Sequence, residues 1–193
     1  MQGYLRLRKH LIDGLKEKLS DQLTYHGVHH TLDVLRVTNN YIKRSEIRGR
    51  EAKLLRIGAL IHDYGFTQTY KDHEAKGCEI ADEIMPGYGF SQTDIDVVKG
   101  MVMATKVPQS PKTELEKIIC DADLDYLGRW DFDPISSSLF QELKNFGILS
   151  DVNQWNKLQV TFLEGHKYHT AFARRNRQPI KELRIEAVKN LIR

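Results

Sequence analysis

The sequence is poor in cysteine: it has two, Cys78 and Cys120, far apart and in no Cys-x-x-Cys pair. That excludes a disulfide framework and a zinc site built on thiolates. Proline is scarce as well, at five residues, and with 13 glycines it falls far below what collagen-like or low-complexity chains carry. No apolar run approaches the roughly 18–20 residues of a membrane-spanning helix. Residues 1–18 interleave Arg6, Arg8, Lys9 and His10 with apolar positions, so no uninterrupted apolar core marks a signal peptide. A cytoplasmic, reducing setting with no membrane partner is the expectation. Strand-like alternation is nearly missing too, and no repeat of fixed period appears.

What is present is a globular composition, 40% hydrophobic and 28% charged, with helical periodicity almost throughout. A length of 193 residues argues for a single domain, 1–193, able to bury its own core. Leu11, Leu15 and Leu19, joined by Ile12, form one apolar face of a first helix. A second pattern runs from Tyr25 through Val28, Leu32, Leu35 and Ile42. A third, from Ala52 to Ile61, is apolar nearly all round. A fourth covers residues 72–84 and stops at Met85-Pro86-Gly87. Ser91 as N-cap, with Asp94 in the first turn, opens a fifth helix to Thr105. Thr113 caps a sixth that carries Leu115, Ile118, Ile119, Leu124 and Leu127 and stops at Gly128. Further helical segments occupy residues 135–146, 152–166 and 179–192. The fold class expected is all-α, a compact helical array.

Charge is uneven. Residues 167–193 hold eight basic side chains against two acidic, so a net +3 divides into a +6 tail and a −3 body. A solvated helix face accounts for such a tail. No recognition motif accompanies it, so nucleic acid is not an expected partner.

The eight histidines are the unusual entry in the composition. Three stretches concentrate metal-ligand residue types. In Tyr25-His26-Gly27-Val28-His29-His30-Thr31, a helix starting at Tyr25 would set His26 and His30 on one face. His62-Asp63-Tyr64-Gly65 stands where an apolar helix ends. Asp121-Ala122-Asp123-Leu124-Asp125 puts three carboxylates in an otherwise apolar helix. Imidazole and carboxylate together suit divalent Mn, Fe, Co, Ni, Zn or Mg. A His-Asp pair directly after Leu60-Ile61 is costly to bury unless it is paired or metal-bound.

The order His30, then His62-Asp63, then Asp123 along a helical chain resembles the HD-domain superfamily of metal-dependent phosphohydrolases. The resemblance covers about residues 22–130 and leaves a C-terminal helical extension, about 131–193. Tyr25-His26-x-x-x-His30-Thr31 looks like the family's opening helix, and Leu55 to Gly65 like its apolar run followed by HD and a glycine. His73-Glu74 resembles the His-Glu that often begins the next helix, and Asp121-Ala122-Asp123 the closing Asp.

The resemblance implies His30, His62, Asp63 and Asp123 as ligands of one divalent ion, with Asp121 and Asp125 as supporting or capping groups and His29 as a competitor of His30. The opening also resembles that of cyclic-nucleotide phosphodiesterases, which implies His26 as general acid to the leaving group. Two-metal members take further histidines from the following helices. His73 would be the first, but the fifth helix ends Met103-Ala104-Thr105-Lys106 without one, so a single ion is expected. Lys106 would instead hold a phosphate at the mouth, and His10, His29, His166 and His169 are expected bystanders. The activity implied is hydrolysis of a phosphomonoester or phosphodiester, of a nucleotide or related small metabolite, by a metal-activated water. The alternative is a non-catalytic sensor of the same fold that binds metal or nucleotide without cleaving it.

Overall fold

The structure, a computed structural model, describes residues 2–193 and is all-α. Ten α-helices and three short 3-10 turns follow one another, with no strand among the described residues. The chain divides into two compact units. One comprises the residues up to Ser20 together with His26–Asp123, the other Asp21–Tyr25 with Leu124–Arg193.

The first unit is built around α3 (Gly49–Ile61). Leu54, Leu55, Ile57, Ala59, Leu60 and Ile61 are all buried there, so the helix is enclosed nearly all round, as its composition requires. It packs on α1 (Gln2–Lys18), α2 (Val28–Arg44), α5 (Gln92–Thr105) and α6 (Glu114–Asp123). On α1 the buried stripe is Leu7, Leu11 and Leu15, four residues apart. A 3-10 turn at Tyr64–Thr67 leads into α4 (His73–Ile84). Helix α5 starts in a full capping box, Ser91 and Asp94 each answering the other's backbone N–H. At the start of α6 the Glu116 N–H donates to Thr113 Oγ1 at 3.2 Å.

Two helix ends differ from the sequence expectation, and both bear on the site. Helix α2 begins at Val28, with Gly27 as its extended N-cap, not at Tyr25. His26 therefore precedes the helix, and the four-residue spacing to His30 is not a helical face. Helix α6 stops at Asp123 instead of running on to Gly128. Leu124 leaves helical geometry (φ −103, ψ 19), and Asp125–Gly128 form a 3-10 turn. The reason is the Asp125 carboxylate, buried and held by Arg177 Nε at 2.8 Å, which ties this turn to the C-terminal helices. The limit expected near residue 130 thus falls at Asp123–Leu124.

The second unit closes on its own apolar core of Tyr25, Leu124, Tyr126, Leu127, Phe132, Leu163, Ile185 and Val188. Its helices are α7 (Phe132–Asn145), α8 (Val152–Gly165), α9 (Ala171–Asn176) and α10 (Gln178–Lys189). The short α9 is a segment that periodicity did not disclose. Lys181 is fully buried, and its ammonium donates to the carbonyls of Leu163 (2.9 Å) and His166 at the end of α8. A lysine here supplies the cation and donors that a helix C-terminus favours. Much of the basic tail is committed in this way. Arg177 pairs with Asp125, Arg184 with Asp133 at 3.4 Å, and Lys189 with Glu164 at 2.9 Å and with Glu186. No helix among the described residues is long and apolar enough to cross a membrane.

Candidate metal centre

Each presumed ligand sits at the end of a helix in the first unit, where a side chain can leave the helical array and meet others. His62 follows the last residue of α3, and its Nδ1–H donates to the Ala59 carbonyl at 3.0 Å. A carbonyl can only accept, so the proton is fixed on Nδ1 and the Nε2 lone pair faces inward. Asp63 leads into the 3-10 turn, His30 lies in the first turn of α2, and Asp123 is the last residue of α6. His30 belongs to the buried stripe of α2 that continues through Val34, Val37 and Tyr41. That stripe, and not a pairing with His26, turns His30 inward while His29 is exposed.

Their ligand atoms converge. His30 Nε2 lies 3.3 Å from His62 Nε2, 3.1 Å from Asp123 Oδ1 and 3.3 Å from Asp63 Oδ2. His62 Nε2 lies 3.2 Å from Asp63 Oδ2 and 3.5 Å from Asp123 Oδ1. Two atoms each about 2.1 Å from a common ion stand about 3.0 Å apart at a right angle and about 3.4 Å at the tetrahedral angle. Four of the five separations fall within that range, and the fifth, His62 Nε2 to Asp123 Oδ1, is just above it. Asp63 Oδ2 is buried beside both imidazoles yet has no hydrogen-bond partner, the condition of an oxygen turned toward a shared centre. His30, His62 and Asp123 form a group whose ligand atoms all lie within 4.8 Å of one another. The donor set of imidazoles and carboxylates therefore fits a divalent ion.

The electrostatics agree. Burial by itself would lower the pKa of His30, but the carboxylates of Asp123 and Asp63 outweigh it and raise it to about 9. His62 is raised well above the usual imidazole range against the same burial, chiefly by Asp63. Burial would raise both acids, but the imidazoles hold Asp123 down at about 2 and Asp63 well below the carboxylate range. Two carboxylates at one point demand positive charge there, and protons or a cation can supply it.

The remaining expected residues fall into place around this centre unequally. His26 is half-buried, its ring 6.0 Å from that of His30 and stacked on Phe66 at 4.3 Å. His73, first residue of α4, stacks on the same Phe66 at 3.9 Å and puts Nε2 3.3 Å from Asp63 Oδ1. Lys106 caps α5 and donates from Nζ to Asp72 Oδ1 at 2.8 Å, both side chains being about half exposed. Asp121 is buried on α6 outside the ligand group, and Asp125 lies in the second unit with Arg177. Cys120 is no ligand either: its thiol donates to the Ala104 carbonyl at 3.1 Å, and burial pushes its pKa up.

Phe66 and Asp72 carry no functional signal in the sequence. Gly65 is needed for room, not for a sharp turn: a Cβ there would run into the backbone carbonyl of His73. That close approach seats the start of α4 against Asp63. The only signal for it in the sequence is the glycine two positions after Asp63.

Fold and site together define an all-α chain with a buried His/Asp cluster able to hold a metal ion. No family model matches the chain, and no solved structure matches it. An uncharacterized protein of Clostridium beijerinckii is 27% identical to it over 88 residues, 44% of this chain and 55% of that protein. The match thus spans about half the relative's length.

Proposed function

We propose that the chain is a metal-dependent phosphohydrolase that cleaves a phosphomonoester or phosphodiester, of a nucleotide or related small metabolite. The observation that carries this reading is the gathering of His30, His62 and Asp123 into one group of ligand atoms, with Asp63 Oδ2 at 3.3 and 3.2 Å from the two imidazoles, in the order along the chain that resembles the HD-domain superfamily. A divalent ion held there would supply Lewis acidity, the property that lowers the pKa of a bound water from about 15.7 towards about 7 and offsets charge on phosphoryl oxygens. His30 and His62 bind through Nε2, with His62 locked in orientation by Ala59. Asp63 and Asp123 supply the two negative charges that make a divalent cation the favoured occupant. His26, half-buried beside His30, is the residue assigned as general acid to the leaving oxygen.

Replacing Asp63 by Ala is expected to abolish both metal uptake and phosphate release from a panel of phosphoesters tested with Mn, Co, Ni and Mg. Full turnover by Asp63→Ala would overturn the mechanism. One observation favours a second reading, a module that binds without cleaving. Lys106, the cation assigned to phosphate, is engaged by Asp72. Metal uptake by the unaltered protein with no turnover of any ester under any of these ions would decide for it.

A further inference from the structure

We infer that His73 is a positioning residue, neither a metal ligand nor a proton donor to substrate: it holds the outer oxygen of Asp63, so that Asp63 offers a single oxygen to the cation. The inference rests on the metal-centre reading and concerns how its least symmetric ligand is aimed.

Asp63 has its two oxygens divided between two neighbourhoods. Oδ2 faces His30 and His62 at 3.3 and 3.2 Å. Oδ1 faces His73 Nε2 at 3.3 Å. The same Nε2 stands 3.5 Å from Glu74 Oε1. An N–H at this nitrogen donates to Asp63 Oδ1, and unlike the Nε2 atoms of His30 and His62, which face each other at 3.3 Å, it lies outside the group of converging ligand atoms. A chelating carboxylate needs both oxygens free to turn to the ion, and the donor on Oδ1 removes that option.

The position of His73 is fixed by several independent constraints, as a part that aims another must be. Its ring lies on Phe66 at 3.9 Å and 20°. Its backbone occupies the space that the missing Cβ of Gly65 leaves. The residue before it, Asp72, has the left-handed backbone angle φ 54 at the head of α4. The Asp72 carboxylate is tied to Lys106 at the end of α5. Lys106 thus braces the element that carries His73. The sequence resemblance treated His73 as the first of a second set of ligands, but Asp63, His73 and Glu74 do not gather their ligand atoms as His30, His62 and Asp123 do. Such outer partners of metal-bound groups typically govern about 10–100-fold in metal affinity.

The test is titration of Co(II) into the full-length protein, following visible absorbance, bound ions per chain and thermal stability. His73→Phe keeps a ring on Phe66 and removes the nitrogen. It should stay folded with one ion per chain, bind Co(II) about 10–100-fold more weakly, and show an altered spectrum. His73→Gln returns an N–H donor and should recover the spectrum and most of the affinity. His73→Asn, too short to reach Asp63, should behave as His73→Phe and stands in for it if the phenylalanine variant unfolds. Unchanged affinity and spectrum in a folded variant lacking the donor would overturn the inference. So would two ions in the unaltered protein and one in His73→Phe, which would make His73 a ligand. No Co(II) uptake by the unaltered protein would instead remove the metal-centre reading itself, an outcome distinct from either.

Discussion

At Asp63 and Asp123 two carboxylates point where two imidazoles also point, and protons compete with any cation for that spot. His30, raised from its ordinary 6.5 to about 9, lends stability that is complete below pH 6.5 and lost as pH rises through about 9. Asp123, lowered from 3.8 to about 2, lends stability that is complete above pH 3.8 and lost as pH falls through about 2. Protein kept metal-free with chelator should therefore lose thermal stability between pH 7 and 10, and excess divalent ion should oppose that loss. A melting midpoint with chelator that stays level across this range would contradict it. His30, His62 and Asp123, which gather in the structure, stand out in the sequence by residue type and order, His30 in part through a spacing that misleads. His30 was preferred to His29 through a helical pairing with His26 that does not exist. The usable signal was the apolar stripe of Val34, Val37 and Tyr41, which extends back to His30 and past His29. His73 was noticed, but nothing in the spacing could show that its nitrogen faces two acceptors.

Among the elements, α4 depends on one missing side chain. With the His73 backbone filling the place of a Cβ on residue 65, Gly65→Ala must push α4 away from the 3-10 turn that carries the site. Overpacking of this kind costs about 1–3 kcal/mol, and the displaced His73 should weaken Co(II) binding as well. Ser91→Ala is the comparison: it loses a capping box at the head of α5, at about 1 kcal/mol, with Co(II) affinity unchanged. Urea unfolding and metal titration of the two variants separate these outcomes, and a Gly65→Ala protein with native affinity would refute the seating argument. Periodicity and capping located the helices well, α5 and α3 above all. It could not locate the 3-10 turns, because four residues are too few to show a period, nor the end of α6. Leu124 and Leu127 continue a helical apolar pattern, yet Arg177, more than 50 positions later, captures Asp125 and breaks it.

For the molecule as a whole, the described chain packs as two compact units, the second around its own apolar core. Tyr25, which lies ahead of the first ligand in sequence, joins the core of the second unit, a long-range choice that no local pattern encodes. Lys181 is the polar keystone of that unit. Lys181→Met would leave the carbonyls of Leu163 and His166 without their donor, a loss of about 1–3 kcal/mol that hydrogen exchange should register as faster exchange at the end of α8. Exchange there as slow as in the unaltered protein would show that burial of the ammonium contributes nothing. The pairing of the tail's cations has a consequence for how the protein meets other charged bodies. The segment 167–193 carries a formal +6, largely screened beyond a Debye length, about 8 Å in physiological salt. At contact distance Arg177, Arg184 and Lys189 are halves of dipoles, and Lys181 is out of reach. Of the tail's eight basic side chains, Lys167, Arg174, Arg175 and Arg193 are therefore the four that these contacts do not engage and that can meet an anion at contact.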